Sequence, residues 1–367
     1  MQLSESSFLP SDTLAEPSDK RRVLVLGASG TAGKATTLAL FKAGHQVSCL
    51  VRAGRDGGIS ENNGDRRKER STDNVLKIRR SIELPEEIEI LIGDVTDPSL
   101  LQQHIFLNKR FDVLVSCLTS RTGVPADAWA IDHDAHVSAL KAAKAGGVQH
   151  IVLLSAICVQ KPLLAFQHAK LAFEKQLIDS GLTYSIVRPT AFFKSLSGQV
   201  ERVRKGKPFL LFGDGRLTAC KPISDNDLGN FMAACLIDSS KFNKILPIGG
   251  PGDAITLREQ GEHLFALTGQ TPRFRQVPIG LLDGIQFVLK QLGRVNKSCA
   301  EKAELARIGR YYATESMLVL NPETGRYDAD MTPSTGTETL YEFYAALLDG
   351  SASVERGEHA VFTKPSK

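Results

Sequence analysis

The sequence lacks the features that mark membrane-spanning, metal-clustered and nucleic-acid-binding proteins. No apolar run approaches the roughly 20 residues that a helix needs to cross a bilayer. The six cysteines are scattered, and no two have the C-x-x-C spacing of a zinc site, so we expect free thiols and no bound metal. The 45 basic and 41 acidic side chains leave a net charge of only +4. That balance predicts no nucleic-acid partner and is compatible with an anionic small molecule.

The two ends of the chain lack the periodic apolar patterns of folded elements. The first 20 residues have no apolar core of a secretory signal and contain acids, which transit peptides usually avoid. Those acids are Glu5, Asp12, Glu16 and Asp19. We therefore interpret 1–20 as a disordered leader and 351–367 as a disordered tail.

Beyond the leader, short apolar runs alternate with helical stretches. Strand Val23–Leu26 is followed by glycines, a helix that ends near Gly44 and a second strand at 46–51, which together form one βαβ unit. Because strand and helix continue to alternate, we predict an α/β Rossmann fold with a doubly wound parallel sheet.

The alternation also suggests a division of the chain. We predict a Rossmann domain over 21–190, interrupted by a polar insertion at 53–82. A smaller substrate-side α+β region is predicted over 191–350, partly interleaved with the Rossmann sheet. Within it, 279–293 is an apolar helix, for which we favour a place in the core over contact with a membrane.

A glycine-rich loop joins the first strand to its helix and contains Gly27, Ser29, Gly30, Thr31 and Gly33. Gly27 permits a tight turn, Gly30 lets the backbone approach a pyrophosphate, and Gly33 lets helix and strand pack closely. The N-terminus of the helix supplies free N–H groups for phosphates. This loop predicts a dinucleotide site.

The residues that follow the second and third strands indicate which dinucleotide binds. An NAD enzyme tends to place an acid after the second strand, but this chain places Arg52 there and Arg55 soon after. A guanidinium suits a 2′-phosphate, so we predict NADPH rather than NADH. Asp94 follows the third strand and either faces the adenine or caps a helix that begins near Asp97; both interpretations stay open.

The motifs GASGTAG, GDV, LLSA and VRP, in this order, resemble the extended and atypical short-chain dehydrogenases over roughly 22–250. In that superfamily a strand-end serine precedes a Tyr-x-x-x-Lys motif. Here the strand ends at Ser155, and the matching stretch begins at Phe166 and ends at Lys170. The phenol that normally moves a proton at a carbonyl oxygen is therefore missing. That departure leaves a C=C reductase or a cofactor-binding protein without catalysis.

Longer segments narrow the resemblance. The stretches SAICVQKPLLAFQHAKLAFE, RPTAFFKSLSGQVE, GKPFLLFGDGRLTACKPISDNDL and ESMLVL resemble the NADPH-dependent divinyl chlorophyllide a 8-vinyl reductases over about 20–348. The resemblance implies reduction of the C8 vinyl group of a divinyl (proto)chlorophyllide to ethyl, in chlorophyll or bacteriochlorophyll synthesis. The glycine loop and strand ends, together with the resemblance to the short-chain dehydrogenases, imply a set of cofactor-binding residues: Gly27, Ser29, Gly30, Thr31, Gly33, Arg52, Asp94, Val95, Ser155, Lys170 and Pro189.

Lys170 is the catalytic residue that the motif implies. It either binds the nicotinamide ribose or donates the proton that completes the reduction, and both roles stay open. A flat, apolar macrocycle with a propionate also needs apolar walls and a cation. The candidate walls are Phe166, Phe192, Phe193 and Phe212, although aromatic residues more often belong to plain core. The candidate cations are Lys194, Arg216 and Lys221.

Two other functions remain open at this point. One is a non-catalytic NADP-sensing regulator, and the other is an isoflavone-reductase-like enzyme that reduces a C=C bond of a small phenolic substrate. The N-terminal composition favours the cytoplasm of a photosynthetic bacterium over a chloroplast, with the photosynthetic membrane as a candidate surface for peripheral association. The oligomeric state is left open.

Overall fold

The computed structural model describes residues 20–52, 75–80, 82–294 and 296–354. Nearly all of the predicted leader, most of the polar insertion with Arg55, and most of the predicted tail lie outside these ranges.

The strands alternate with helices as the sequence predicts. The strands are β1 (Arg22–Leu26), β2 (Gln46–Val51), β3 (Glu89–Ile92), β4 (Val113–Ser116), β5 (His150–Leu154), β6 (Thr183–Pro189), β7 (Phe209–Phe212), β8 (Ala219–Cys220), β9 (Lys244–Ile248), β10 (Ile255–Thr256), β11 (Phe274–Val277), β12 (Val319–Leu320) and β13 (Tyr327–Asp328). The α-helices are α1 (Thr31–Lys42), α2 (Pro125–Ala128), α3 (His136–Ala145), α4 (Ala165–Ile178), α5 (Phe193–Leu196), α6 (Val200–Arg204), α7 (Asp225–Ala234), α8 (Leu257–Leu267), α9 (Ile279–Leu292), α10 (Lys297–Thr314) and α11 (Leu340–Asp349). Two π-helical segments are Leu100–Phe106 and Trp129–Ala135, and a further helical segment lies at 75–80.

Across the described residues, seven strands form one sheet in the order β3-β2-β1-β4-β5-β6-β9, and every pair is parallel. The strand order reverses beside β1, where β2 and β4 flank it. This topology confirms the predicted α/β Rossmann fold. In such a sheet, ligands bind at the carboxyl ends of the strands near the reversal.

The sheet is covered on both faces, because alternate residues of a strand point to opposite sides. Val23 and Val25 of β1 pack in the same cluster as Leu40 of α1. Leu24 and Leu26 pack on the other face, with helices α3 and α4. The four residues Val23–Leu26 of β1 are fully buried. The apolar run after Arg22 is therefore a central strand.

The chain beyond residue 190 builds a third cluster and also extends the sheet. Phe193, Phe209, Phe265 and Tyr344 pack together in that cluster. Strand β7 pairs in parallel with β11, and β8 pairs antiparallel with β10. Strand β9 instead joins the central sheet beside β6.

Helix α9 does not lie in the core, contrary to the sequence prediction. It has no buried residue, although eight of its side chains would suit a core by composition: Ile279, Leu281, Leu282, Ile285, Phe287, Val288, Leu289 and Leu292. One side of α9 packs on α10, and the remainder faces outward. Apolar composition predicted the helix correctly but could not show whether a protein layer covers it. No helix in the described part of the chain is long and apolar enough to span a membrane.

Candidate active site

The predicted cofactor residues gather at one edge of the sheet. Parallel strands all end on the same side, and the glycine loop follows β1, Arg52 follows β2, Asp94 follows β3, and Ser155 follows β5. This edge is where Rossmann folds bind dinucleotides.

The glycine loop has the geometry that a pyrophosphate requires. Gly27 has φ +84°, and a Cβ there would lie 2.7 Å from the carbonyl carbon of Cys117. A Cβ on Gly33 would lie 2.0 Å from the Gly27 oxygen, so only glycine lets α1 begin this close to β1. At Gly30 the nearest atom to such a Cβ is 3.6 Å away, and the first turn of α1 carries no acid. The loop thus fits an anion, and its occupation by phosphate stays a prediction.

Helix α7 packs against α1, the helix that follows this loop. A Cβ on Gly229 would lie 2.7 Å from the carbonyl carbon of Ala35, so glycine permits the close approach. At the start of α7, Asp225 accepts a hydrogen bond of 3.4 Å from the hydroxyl of Thr31. Burial raises the pKa of Asp225, and nearby Lys194 opposes that shift. Lys194, a candidate for the substrate carboxylate, is therefore close enough to Asp225 for its charge to act on that carboxyl group.

Arg52 and Asp94 lie at the ends of neighbouring strands, and Arg52 is exposed. Asp94 accepts hydrogen bonds from the backbone and hydroxyl of Thr96, at 2.9 and 2.7 Å. These bonds lower its pKa, and the charge of Arg52 adds to the effect. The helical segment that follows is capped by Asp97, which accepts from the backbone of Leu100 at 3.4 Å. The interpretation of Asp94 as the cap is therefore wrong, and contact with adenine stays a prediction.

Lys170 forms a buried ion pair with Asp132. The ammonium lies 2.9 Å from Oδ1, and the two side chains are 8% and 0% exposed. The backbone N–H of Ser120, just after β4, donates to both oxygens of Asp132 at 3.3 and 3.4 Å. Lys170 stands one helical turn after Phe166 on α4, so both residues face the same side. The site thus holds a fixed cation where the superfamily places its lysine.

A neutral histidine lies beside this pair. His136 is bonded through Nε2 to the Ser116 hydroxyl at 2.9 Å and through Nδ1 to the Ile131 carbonyl oxygen at 2.8 Å. Since a carbonyl oxygen only accepts, Nδ1 carries the hydrogen and Nε2 accepts from Ser116. Burial, reinforced by the charge of Lys170, lowers the pKa of His136 to about 4. The imidazole is therefore neutral at pH 7, and it lies beside the Lys170–Asp132 ion pair without adding a charge to it.

Three predicted cofactor residues have side chains directed elsewhere. The hydroxyl of Ser155 donates to Glu174, which also pairs with Arg188. The side chain of Val95 packs in the core beneath the sheet edge, and Pro189 is a buried strand residue paired with β9. For Val95 and Pro189, a cofactor would meet backbone atoms.

The candidate substrate walls fall into two groups. Phe193 is a core residue: it is 5% exposed and its ring lies 5.6 Å from that of Phe343. The prediction that it lines a pocket is wrong, because α11 covers it. Phe166 packs with Tyr311 of α10 in a cluster beside Lys170. Phe192 and Phe212 are half-buried.

The candidate cations for a propionate also differ in whether the protein itself already binds them. The ammonium of Lys221 donates to the carbonyl oxygen of Thr332 at 3.0 Å and to the Ser334 hydroxyl at 3.3 Å. It holds the C-terminal loop, so its assignment to a substrate carboxylate is wrong. Arg216 is exposed on a turn whose backbone is fixed by Asp214.

Known proteins resemble this chain over nearly its full length. A family described as NAD(P)H-binding matches residues 68–239. The chloroplastic divinyl chlorophyllide a 8-vinyl-reductase of Cucumis sativus is 47% identical over 347 residues, which are 93% of this chain and 79% of that protein. Its counterpart in Arabidopsis thaliana is 45% identical over 364 residues, which are 97% of this chain and 84% of that protein.

This chain belongs to the divinyl chlorophyllide a 8-vinyl-reductase family. The family resemblance carried by the four long sequence segments is thereby confirmed, as is a nicotinamide dinucleotide as cofactor. An NADPH-dependent quinone oxidoreductase from Escherichia coli, solved with NADPH, has the same fold. It superposes with a TM-score of 0.60 over 89% of this chain and 99% of that chain, at 18% identity.

The expected location in a bacterial cytoplasm is wrong. The divinyl chlorophyllide a 8-vinyl-reductases of Cucumis sativus and Arabidopsis thaliana are chloroplastic, and the comparison points to the chloroplast. The acids of the N-terminal segment, which lies outside the described residues, do not decide the compartment.

Sequence reasoning missed two residues of this candidate site, Asp132 and Asp225. Each is far from its partner in sequence: Asp132 pairs with Lys170, and Asp225 bonds to Thr31. Neither lies in a motif with a fixed spacing. The available signal was that a buried lysine needs a counter-charge, which predicts an acid without saying which one.

Proposed function

We propose that this chain reduces the C8 vinyl group of divinyl chlorophyllide a to an ethyl group with NADPH, as a step of chlorophyll synthesis. The observation that carries the proposal is the identity of 45% over 97% of the chain with a relative of that name. Identity of that extent includes the substrate side as well as the cofactor loop. It disfavours a regulator or an enzyme for small phenolic substrates.

The described residues fit NADPH. When bound, NADPH supplies a hydride, and the protein supplies orientation and charge. The glycine loop from Gly27 to Gly33, with Ser29 and Thr31, would hold the pyrophosphate at the N-terminus of α1. Arg52 would pair with the 2′-phosphate, since its guanidinium is exposed at the end of β2.

The missing phenol agrees with this reaction. A vinyl group on a tetrapyrrole is conjugated with the ring, which delocalises the negative charge when hydride adds to the outer carbon. No oxyanion forms at a single oxygen, so no phenol is needed to protonate one. Phe166, buried in the place of the superfamily's tyrosine, adds apolar surface beside Lys170 instead.

Lys170 is proposed as the residue that completes the reduction. Its ammonium lies on the same helix one turn after Phe166, and Asp132 fixes its position. From there it would bind the nicotinamide ribose and deliver a proton to the inner vinyl carbon. A general acid of this kind contributes about 10²- to 10⁴-fold to a rate.

The substrate side is proposed from the residues that remain available. Phe166, Phe192 and Phe212 would contact the macrocycle, and Arg216 its propionate. In this proposal 21–190 binds the cofactor, 191–350 forms the substrate side, and the exposed apolar helix α9 associates peripherally with a membrane that holds the pigment.

The proposal is tested by incubating the protein with NADPH and divinyl chlorophyllide a. Loss of a conjugated vinyl group should move the Soret band to shorter wavelength, and chromatography should show the monovinyl product. Reactions with NADH or with monovinyl chlorophyllide a serve as controls. An unchanged Soret band with NADPH would overturn the proposal, and the same assay with divinyl protochlorophyllide shows whether the earlier pigment is also accepted.

A further inference from the structure

An acid that reaches the glycine loop comes from helix α7 rather than from α1. Asp225 is the first residue of α7, and its Oδ1 accepts a hydrogen bond of 3.4 Å from the hydroxyl of Thr31. Thr31 is the first residue of α1, at the helix N-terminus that would hold the pyrophosphate. While it is ionised, Asp225 therefore contacts a residue that should meet an anion, and its charge opposes the binding of that anion.

The packing of α7 fixes Asp225 in this position. The hydroxyl of Ser224 caps the helix and accepts from the backbone N–H of Asp227 at 3.0 Å. The carboxylate of Asp227 in turn accepts from the backbone N–H groups of Thr337 and Glu338, at 3.1 and 3.0 Å. Helix α7 also packs along α1. The start of α7 therefore cannot withdraw from the glycine loop without breaking these contacts, so Asp225 stays beside the loop when an anion arrives.

Charged groups from other elements also act on Asp225. Burial raises its pKa, and the charge of Glu338, just before α11, adds to the rise. The hydrogen bond from Thr31 and the charge of Lys194 in α5 oppose it, and the net direction is upward. On the same helix, Asp227 is held by its bonds to the segment before α11. An acid whose pKa is already raised takes up a proton more readily than an ordinary aspartate when a further negative charge arrives.

The hydroxyl of Thr31 has a single hydrogen to donate. An ionised Asp225 can only accept, so it takes that hydrogen. A protonated Asp225 can instead donate to the hydroxyl oxygen, which leaves the hydrogen of Thr31 available for a phosphate oxygen. Protonation thus removes a negative charge from the loop and also turns Thr31 into a donor toward the anion.

We propose that Asp225 couples NADPH binding to the uptake of one proton, so that the glycine loop holds the pyrophosphate when this carboxyl group is protonated. The inference rests on the proposed function for the cofactor and its place on the loop. The proton comes from solvent and forms the O–H bond of Asp225, and no other covalent bond changes. NADPH affinity should therefore fall as the pH rises from the pKa of Asp225 in the free protein to its higher pKa in the complex. Outside that window Asp225 should add no pH dependence.

The inference is tested by titrating the full chain with NADPH between pH 5 and pH 8 and following the fluorescence of the cofactor. Asp225→Asn cannot ionise but can donate to Thr31, so at pH 8 it should bind NADPH about tenfold or more tightly than the wild type, the factor of one pKa unit. The difference should shrink as the pH falls to 5. The matched control Asp330→Asn removes an exposed acid elsewhere and should keep the wild-type pH dependence. The 2′-phosphate of NADPH also titrates, but it does so in every protein compared.

Two further measurements separate the outcomes. Calorimetry in buffers of different ionisation enthalpy should show more proton uptake on NADPH binding by the wild type than by Asp225→Asn. In a Thr31→Val background the gain from Asp225→Asn should be smaller, because no hydroxyl hydrogen is left to release, and a full gain there would overturn the part played by the hydroxyl.

Equal pH dependence and equal proton uptake in the wild type and Asp225→Asn would overturn the inference. Weaker NADPH binding by Asp225→Asn at pH 8 would also overturn it, since the carboxylate would then assist the cofactor. Either result leaves NADPH bound and the proposed reaction intact. A wild type that binds no NADPH at any pH would instead overturn the proposed cofactor together with this inference.

Discussion

The side chains of Lys170 and Asp132 carry the proposed chemistry at the level of single residues. The pair is buried, and the Ser120 backbone fixes the carboxylate from the other side. A buried ammonium that loses its partner is left with an uncompensated charge, which makes each member of the pair sensitive to substitution.

Lys170→Ala should therefore lower kcat by about 10²-fold or more, the usual contribution of a general acid. NADPH should also bind more weakly if the ammonium contacts the ribose. Lys170→Arg keeps the charge but does not readily release a proton, so it should restore NADPH affinity without restoring kcat. Steady-state kinetics and NADPH titration measure the two effects. Unchanged kcat together with unchanged affinity in Lys170→Ala would refute both roles.

Arg52 should determine the preference for NADPH. Arg52→Asp replaces a cation at the end of β2 with an anion that repels a 2′-phosphate, and it should erode the preference over NADH by about 1–3 kcal/mol. The comparison is the ratio of NADPH and NADH affinities, with Arg326→Asp as a control at another exposed arginine. A wild type that binds both cofactors equally would contradict this role.

Residue roles were predictable where local geometry dictates them. Gly27 and Gly33 lie in the tight turn and close packing that their spacing predicts. Phe193 and Lys221 were assigned to the substrate from residue type alone, yet α11 buries the first and Thr332 binds the second. Such assignments depend on distant segments whose approach no local pattern encodes.

Helix α1 and its loop form the element on which cofactor binding depends. In Gly33→Ala the new methyl carbon would lie 2.0 Å from the Gly27 oxygen, so α1 must move away from β1. We expect a loss of about 1–3 kcal/mol in the free energy of unfolding. We also expect weaker NADPH binding, because the N–H groups of the helix N-terminus shift.

A matched glycine separates this effect from a general one. Gly284 lies inside α9, where a Cβ would meet nothing within 4 Å. Gly284→Ala should therefore be neutral or stabilising by up to about 1 kcal/mol, as expected of alanine in a helix. Urea denaturation and NADPH titration check both variants. Wild-type NADPH affinity in Gly33→Ala would contradict the role given to the loop.

Elements with strong periodicity were predicted well, and their environment was not. Strand Gln46–Val51 has the predicted bounds, because an apolar run between polar turns has few alternatives. Helix α9 was also predicted, but as a core helix. Whether an apolar face meets protein or another phase depends on tertiary packing, which its own sequence does not specify.

The stability of the whole molecule should decline in mild acid because of its buried histidines. Burial lowers the pKa of both His136 and His150 from 6.5 to about 4. Between those pH values the unfolded chain binds more protons than the folded protein. The free energy of unfolding therefore falls as pH drops from 6.5 to about 4. Above pH 6.5 these two histidines do not affect it. Each histidine accounts for up to about 3 kcal/mol.

Substitution of His150 isolates one contribution without touching the site. Urea denaturation between pH 7 and pH 5 should show a shallower loss of stability in His150→Gln than in the wild type. The exposed His168 provides the control, since His168→Gln should keep the wild-type pH dependence. An identical pH dependence in His150→Gln would show that this buried imidazole is not the source.

The destination of the hydride tests the central claim most directly. The wild-type protein is incubated with divinyl chlorophyllide a and NADPH deuterated at C4 of the nicotinamide, with each stereoisomer in turn. The product is then examined by mass spectrometry and NMR. One stereoisomer should place a single deuterium on the terminal carbon of the C8 ethyl group, while the proton on the inner carbon comes from solvent. Formation of the ethyl group without that label from either stereoisomer, or oxidation of NADPH with the vinyl group unchanged, would contradict the proposed reduction.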